Sequence, residues 1–211
     1  MLPIFFSSVL VLAPHTDDGE LGAGGFLSKL VSSGAKVTYV AFSTAKESLP
    51  EGMPEDTLYY EVKNAIGHLG IKDIEILDYP VRNFDVNRQL ILEDLIKIRA
   101  IKDFDLVLLP SSSDIHQDHQ VIRNEGIRAF KNTTVLGYEL IWNSFDFKNH
   151  LYVKLNESDV VNKTNALSEY KSQSHRAYMS EEFVRSLAYT RGLQVNHKYA
   201  ECFEVIRWVL N

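Results

Sequence analysis

The chain contains 211 residues, of which 45% are hydrophobic and 24% are charged. This composition is typical of a globular protein and excludes a disordered tail, a coiled coil and a collagen-like fibre. Its 22 Lys and Arg against 28 Asp and Glu leave a net charge of −6, which argues against binding of nucleic acid through a basic face. The length corresponds to one domain, which we expect to span residues 1–211.

The single cysteine, Cys202, cannot form a disulfide within the chain, and this cysteine usage is expected in a reducing compartment. Any metal must therefore be held by histidine and carboxylate side chains. Residues 1–13 are apolar but lack a Lys or Arg at their start, so we interpret them as a strand rather than a signal peptide. No run approaches the roughly 20 apolar residues of a membrane helix. These features predict a cytoplasmic protein without a membrane span.

Short apolar runs rich in branched residues alternate with amphipathic segments through the first half of the chain. Strands are predicted at residues 8–13, 36–42, 73–77 and 105–109, each with the pattern of a strand buried on both faces. Helices are predicted at residues 21–33, 56–69 and 88–102. This order predicts a Rossmann-like α/β fold, with a mostly parallel sheet and helices on both faces. Such sheets bind ligands at the carboxyl ends of their strands.

The final third of the chain is less regular and is expected to complete the same core. It contains predicted strands at residues 134–141, 151–155 and 200–210, and predicted helices at residues 158–172 and 180–189. Earlier in the chain, residues 43–55 form a loop with Pro50, Gly52 and Pro54, which is either a mobile lid or a surface excursion.

An acidic motif that contains a histidine follows the first strand. Residues 14–20 read Pro-His-Thr-Asp-Asp-Gly-Glu and enter the first helix. Helix capping explains one acidic side chain there, but the adjacent carboxylates of Asp17 and Asp18 repel each other unless a cation offsets them. Glu20 is expected to brace this segment rather than to react. Glycines inside a helix cost up to ~1 kcal/mol each, so three of them indicate close approach of the helix to the sheet or a ligand: Gly22, Gly24 and Gly25.

A second motif follows the fourth predicted strand, where residues 110–119 read Pro-Ser-Ser-Ser-Asp-Ile-His-Gln-Asp-His. His116 and His119 are three residues apart and share one face if the segment is helical. The first and fourth strands are commonly close in a doubly wound sheet, so the motifs are expected to converge on a metal held by His15, Asp18 and His119. Two imidazoles and one carboxylate with an open fourth position form the ligand set of a catalytic zinc, and ferrous iron tolerates the same set.

Together the two motifs resemble the signatures of one known enzyme family. The stretch His-Thr-Asp-Asp-Gly-Glu-Leu-Gly-Ala-Gly-Gly at residues 15–25, with His-Gln-Asp-His at residues 116–119, is similar to the zinc-dependent N-acetylglucosaminyl-phosphatidylinositol de-N-acetylase family, also called LmbE-like or PIG-L. The usual signatures of that family are His-Pro-Asp-Asp-x-Glu and His-x-Asp-His. Thr16 replaces the usual proline, which leaves every expected metal ligand in place. The resemblance reaches to about residue 125, and Tyr-Lys-Ser-Gln at residues 170–173 is also family-like.

The resemblance implies a zinc-dependent hydrolase that removes the acetyl group from a small-molecule N-acetylated amino sugar or its conjugate. It implies that Asp17 is the general base and that Asp18 binds the metal. His116 would stabilise the oxyanion or donate a proton, and Asp118 would hold the ring of His116 in orientation. Homo-oligomers occur in the family, so self-association is a further expectation.

Candidate substrate-binding residues lie after the third strand and in the final third. The resemblance implies that Arg82 contacts sugar hydroxyls, and the alternative roles of Arg82 are a surface charge or an ion pair with Asp85. Four later side chains either contact a sugar ring or belong to the core: Trp142, Asn143, Tyr170 and His175.

Two alternative functions are weighed against deacetylation. Adjacent carboxylates after the first strand also occur in magnesium-dependent phosphoryl-transfer enzymes, but magnesium prefers oxygen ligands and both motifs carry histidine. A non-catalytic sugar- or metal-binding module of the same fold is expected to have lost its base, whereas Asp17 is present.

Overall fold

The computed structural model of the chain describes residues 6–209. Two sequence predictions extend outside the described residues: the amino-terminal strand at residues 1–5, and the last strand at Leu210. Seven strands lie within the described residues: β1 (Ser8–Ala13), β2 (Lys36–Ala41), β3 (Asp73–Ile76), β4 (Leu106–Pro110), β5 (Thr134–Tyr138), β6 (Leu151–Leu155) and β7 (Tyr199–Arg207).

Six α-helices are found in the same residues: α1 (Asp18–Ser32), α2 (Thr57–His68), α3 (Arg88–Ile101), α4 (Gln117–Ala129), α5 (Glu157–Ser168) and α6 (Glu181–Leu193). Short 3-10 turns follow β2, β5 and α5. None of the helices between residues 6 and 209 is both long and apolar enough to cross a membrane.

The described strands form one sheet in the order β3-β2-β1-β4-β5-β7-β6. Strands β1 to β5 run parallel, and β7 pairs antiparallel with both β5 and β6. The predicted α/β fold with a mostly parallel sheet is therefore confirmed, and the final third adds two antiparallel-paired strands at one edge. The chain order reverses between β1 and β4, which is where such sheets open a crevice for a ligand.

Helices cover both faces of the sheet because its central strands are apolar on both faces. Val9 and Val11 of β1 belong to the core that includes α1, while Leu10 and Leu12 face the opposite core with α3 and α4. Burial of one such side chain contributes about 1.5–3 kcal/mol relative to leaving it in water. The alternation along β1 therefore attaches both helical layers to the strand that carries the first motif.

Two elements differ from the sequence predictions. β3 is the edge strand of the sheet and leaves Asp73 and Glu75 exposed, so the prediction that both of its faces are buried is wrong. α4 is a full helix that the sequence does not predict, because its polar residues and Gly126 obscure the apolar period. A Cβ atom at Gly126 would lie 2.9 Å from Leu109 and 3.0 Å from Leu12, so this glycine allows α4 to pack closely on the sheet.

Gly22 of α1 provides a test of close packing on the other face. A Cβ atom there would lie 2.4–2.9 Å from atoms of Tyr138, a fully buried residue of β5. We expect Gly22→Ala to lower the free energy of unfolding by about 1–3 kcal/mol in urea denaturation, because the methyl group has no room. Gly67→Ala in α2 is the matched control: its Cβ meets nothing within 4 Å, and alanine should stabilise this helix by about 0.5–1 kcal/mol. Wild-type stability of Gly22→Ala would contradict the packing.

Candidate metal centre

The two motifs meet at the carboxyl ends of neighbouring strands. β1 leads into the first motif and α1, and β4, which pairs with β1, leads into the second motif and α4. His15 and His119 are 104 residues apart in the chain, yet His15 Nδ1 lies 3.3 Å from His119 Nε2. The strand order therefore brings the two motifs to one place.

Three candidate ligand atoms form a nearly equilateral triangle. Asp18 Oδ2 lies 3.1 Å from His15 Nδ1 and 3.2 Å from His119 Nε2, and the two nitrogens are 3.3 Å apart. Ligands of a tetrahedral zinc ion at ~2.0–2.1 Å lie about 3.3 Å from one another, so these residues fit such an ion. His116 is a further candidate, because one ligand atom each of His15, His116 and His119 lies within 4.8 Å of the others.

Both imidazoles of the triangle use their second nitrogen to contact a buried carboxylate. His15 Nε2 lies 3.1 Å from Asp118 Oδ2, and His119 Nδ1 lies 2.7 Å from Asp114 Oδ2. Metal-binding histidines commonly have such a partner, which sets the ring orientation and the nitrogen that faces the metal. Sequence reasoning assigned no role to Asp114, although a carboxylate five residues before His119 in the same motif is the signal that points to it.

The prediction that Asp118 orients His116 is wrong. His116 is the N-cap residue of α4, and its Nδ1 accepts a hydrogen bond from the backbone N–H of Asp118 at 3.3 Å. The Asp118 carboxylate instead contacts His15, and it accepts a hydrogen bond from the backbone N–H of Arg82 at 2.7 Å. The start of the helix therefore orients the ring of His116.

Neighbouring carboxylates control the protonation of the triangle. Burial disfavours the charged form of His15, but hydrogen bonds to Asp118 and Asp18 outweigh it and raise the pKa of the ring to about 9. Burial also opposes protonation of His119, whereas Asp18 and Asp114 raise its pKa to about 10. Burial works against ionisation of Asp18, yet the two imidazoles hold the pKa of its carboxyl well below the usual range. A cation that binds both nitrogens has to displace protons, so its binding should release them.

Asp17 lines the same cleft as the triangle. It precedes α1, but its side chain makes no capping hydrogen bond to the helix. Burial and the neighbouring charge of Asp18 raise the pKa of its carboxyl to about 6, against the opposing effect of His15 and Arg176. A carboxylate that titrates near neutral pH can accept a proton and return it, which suits a general base.

Glu20 braces the first motif. It is fully buried, and its carboxyl is hydrogen-bonded to the hydroxyls of Tyr39 and Tyr170. The same hydroxyls lie 3.0 and 2.7 Å from the backbone carbonyl oxygen of Thr16, next to Asp17. Burial raises the pKa of Glu20 to about 8, so at neutral pH its protonated carboxyl can donate to one of the tyrosines. Tyr170 thus belongs to this buried network and does not form a sugar-binding face.

The cleft has a volume of about 270 Å³, close to the lower limit of roughly 300 Å³ for small-molecule sites. Trp142 and Asn143 line it, whereas His175 is exposed outside it. The loop at residues 43–55 contributes Ala45 and Ser48 to the wall, and its action as a lid stays a prediction. Among the lining residues that sequence reasoning missed, three carry polar groups and end or follow the Tyr-Lys-Ser-Gln stretch: Gln173, Arg176 and Tyr178.

Arg82 also lines the cleft, on a turn that the second motif holds in place. Its φ of 63° is left-handed, a conformation that costs a non-glycine residue roughly 1–2 kcal/mol. The hydrogen bond from its backbone N–H to Asp118 offsets part of that cost. The expected alternative of an ion pair with Asp85 is not realised, because the arginines that pair with acidic residues in the described part of the chain are others: Arg88, Arg128, Arg185 and Arg191.

Glu204 of β7 anchors the start of the second motif. Its carboxylate accepts hydrogen bonds from the backbone N–H and the hydroxyl of Ser112, both at 2.6 Å, and pairs with Lys148 at 3.3 Å. Burial opposes ionisation, but these contacts outweigh it and hold the pKa of Glu204 below its usual range. A carboxyl with a lowered folded-state pKa stabilises the fold above its unfolded pKa of about 4.3, and this contribution is lost as the pH falls through the folded-state pKa.

We therefore expect Glu204→Gln to lower the free energy of unfolding by about 1–2 kcal/mol at pH 7 and by less at pH 3. Urea denaturation at the two pH values measures the difference. Glu182→Gln, at an exposed position of α6, is the control and should stay within about 0.5 kcal/mol of wild type. An equal loss at both pH values would contradict the role of the Glu204 charge.

Comparison with known proteins places both motifs within one family match. Residues 10–130 match the model of the family described as PIG-L, GlcNAc-PI de-N-acetylase. The chain is 25% identical over 183 residues to the probable N-acetyl-alpha-D-glucosaminyl L-malate deacetylase 2 of Bacillus cereus. That match covers 82% of this chain and 83% of the Bacillus protein.

Solved structures share the fold. The N,N'-diacetylchitobiose deacetylase of Pyrococcus horikoshii has a TM-score of 0.78 at 21% identity, covering 96% of this chain and 84% of that one. GalB, the 4-carboxy-2-hydroxymuconate hydratase of Pseudomonas putida, has a TM-score of 0.77 at 18% identity, covering 97% and 98%. These likenesses show the fold alone, since the two neighbours catalyse different reactions. The family match over more than half of the sequence shows that the chain belongs to the GlcNAc-PI de-N-acetylase (PIG-L) family.

Proposed function

We propose that this protein is a metal-dependent hydrolase that removes the acetyl group from an N-acetylated amino sugar or its conjugate. The observation that carries the proposal is the triangle of His15, Asp18 and His119 in one cleft. The Bacillus cereus relative and the Pyrococcus horikoshii neighbour support it, because both are named as deacetylases of acetylated sugar compounds.

His15, Asp18 and His119 would hold the ion, with Asp118 and Asp114 orienting the two rings. Two imidazoles and one carboxylate suit a catalytic zinc, and ferrous iron accepts the same donors. Magnesium prefers oxygen donors, which argues against the phosphoryl-transfer alternative. When bound, the ion supplies Lewis acidity that lowers the pKa of water to about 7 and polarises the amide carbonyl.

Asp17 is the proposed general base. Its carboxylate takes a proton from the attacking water and returns it to the nitrogen of the leaving amine. The amide C–N bond then breaks, and acetate and a free amine are formed. General acid–base catalysis of this kind contributes about 10²–10⁴-fold to the rate. The presence of this carboxylate argues against a non-catalytic module.

His116 is proposed to stabilise the developing oxyanion. Its Nδ1 accepts a hydrogen bond from the backbone N–H of Asp118. The ring proton is therefore on Nε2, which can donate a hydrogen bond to an oxygen in the cleft. Burial and the neighbouring rings of His119 and His15 lower the pKa of His116 to about 4. The neutral ring therefore serves as a hydrogen-bond donor at neutral pH rather than as an acid, which favours the first of its two expected roles.

Arg82 and Trp142 are proposed to contact the sugar from the walls of the cleft. A guanidinium has five N–H donors for hydroxyl oxygens. An aromatic ring offers an apolar surface against which a sugar ring can pack.

The test is amine release from a panel of N-acetylated sugars, detected with fluorescamine, by protein whose metal content is measured. We expect release by zinc- or iron-loaded protein, its loss on chelation and its recovery when the metal is returned. The panel includes neutral and acidic N-acetylglucosamine derivatives. A fully metal-loaded protein that releases no amine from any of them would overturn the proposed function.

A further inference from the structure

Two arginines in the cleft have no acidic partner. Arg82 and Arg176 both line the cleft that contains the triangle. Within residues 6–209, the arginines with a carboxylate at ion-pair distance are the four named above, and neither of these two is among them. Unpaired guanidinium groups at a binding cleft are available to a ligand.

The charge balance of the cleft favours an anion once a divalent cation is bound. Its carboxylates are those of Asp17, Asp18 and Asp118, and its permanently charged cations are the two arginines. Two further positive charges give the side chains that line the cleft a net positive charge. The Asp114 carboxylate, which contacts His119 Nδ1, is buried and does not line the cleft. A neutral N-acetylated sugar does not compensate this charge, whereas an acidic substituent would.

Arg176 is held in position by its surroundings. It is half-buried, its backbone N–H donates to the carbonyl of Gln173 at 3.0 Å, and its guanidinium donates to the hydroxyl of Tyr178. The ring of Tyr178 stacks on Trp142, with 4.0 Å between the centroids and 10° between the planes. The Tyr178 oxygen accepts a hydrogen bond from Arg176, so the Tyr178 O–H can itself donate a hydrogen bond to a ligand. Such a preorganised pair of donors loses little conformational entropy on binding.

A competing interpretation is that Arg176 acts only on Asp17. The guanidinium is close enough to oppose the rise in the pKa of the Asp17 carboxyl. That effect would change the hydrolysis of every substrate alike, and it would move the pH profile. A contact with an anionic group would change the reaction of acidic substrates only.

We propose that Arg176, together with the Tyr178 hydroxyl, binds an anionic group of the substrate and selects acidic N-acetylated amino sugars over neutral ones. This inference rests on the proposed function and narrows its substrate class. Guanidinium groups bind carboxylate and phosphate through the same charge-assisted N–H···O hydrogen bonds. The anion is therefore a carboxylate or a phosphate on the sugar or its conjugate, and the arms of the experiment distinguish a carboxylate from a phosphate.

Binding of reaction products tests the anion contact without turnover. Isothermal titration calorimetry compares glucosamine 6-phosphate, muramic acid and glucosamine on zinc-loaded wild type and Arg176→Gln. We expect at least one acidic product to bind about 10- to 100-fold more tightly than glucosamine, and Arg176→Gln to remove that advantage. Equal affinities in the wild type would overturn the proposal. So would a preference that persists in Arg176→Gln, because the anion would then bind elsewhere, for example to the zinc.

Turnover of the matching acetylated compounds separates this inference from the proposed function. We expect Arg176→Gln to raise KM for an acidic substrate about 10- to 100-fold and to leave KM for N-acetylglucosamine within about threefold of the wild-type value. Arg176→Lys should keep part of the preference, and His175→Ala, at the exposed neighbour outside the cleft, should match wild type.

Equal losses of activity on acidic and neutral substrates would assign Arg176 to Asp17 alone and overturn the inference. No amine release from any compound, together with anion binding that depends on Arg176, would reject the proposed function and retain the anion site.

Discussion

Asp17→Asn should lower the turnover number of deacetylation by about 10²–10⁴-fold while the protein keeps its metal. Asparagine has almost the same shape but does not accept a proton at neutral pH, so the variant loses the base and keeps the ligand triangle. Because the Asp17 side chain does not cap α1, its replacement should leave the helix intact. Fluorescamine assays give the rate, and elemental mass spectrometry gives the metal content.

Asp85→Asn is the matched control for this variant. Asp85 is an exposed aspartate near Arg82 in the chain and does not line the cleft. The Asp85→Asn variant should therefore have the deacetylation rate and the metal content of wild type. A turnover number of Asp17→Asn within about threefold of wild type would remove Asp17 as the base. Loss of metal from Asp17→Asn would show that this carboxylate is a ligand instead.

His119→Ala should lose metal and activity together. The ring supplies one corner of the triangle, 3.2 Å from Asp18 Oδ2, and it also contacts Asp114 at 2.7 Å. Its removal leaves two buried carboxylates without this partner, so the free energy of unfolding should also fall, by about 3–5 kcal/mol. Metal analysis after dialysis, and thermal unfolding with and without added zinc, measure the two effects. Added zinc should stabilise the wild type and not the variant.

Parallel variants decide between the two candidate sets of three ligands. If Asp18 is a ligand, Asp18→Ala loses metal and His116→Ala retains it. The reverse result would show that three histidines hold the ion. Asp114→Asn should weaken metal binding about 10- to 100-fold, because it removes the partner that orients His119. Full metal retention by His119→Ala would exclude both ligand sets.

Local sequence patterns predicted all the described strands and every described α-helix except α4, and they identified the candidate ligands. Continuous apolar runs such as residues 8–13 identify central strands, because burial on both faces requires apolar side chains at every position. The two motifs are recognisable because closely spaced carboxylates at a strand end repel one another unless a cation offsets their charge, and the histidines beside them are metal-binding side chains. Predictions failed where the local pattern was ambiguous, at the half-exposed edge strand β3 and at the polar helix α4.

Three-dimensional packing, rather than any local pattern, sets which side chains support the ligands and which line the cleft. Asp118 is next to His119 in the chain, yet its carboxylate contacts His15, 103 residues earlier, because β1 and β4 are neighbours in the sheet. Arg176 and Tyr178 reach the same cleft from the final third of the chain. Apolar periodicity and helix propensity act over a few residues. Contacts across the end of a sheet depend instead on strand order and on the space left between packed helices. No local sequence pattern specifies either of these.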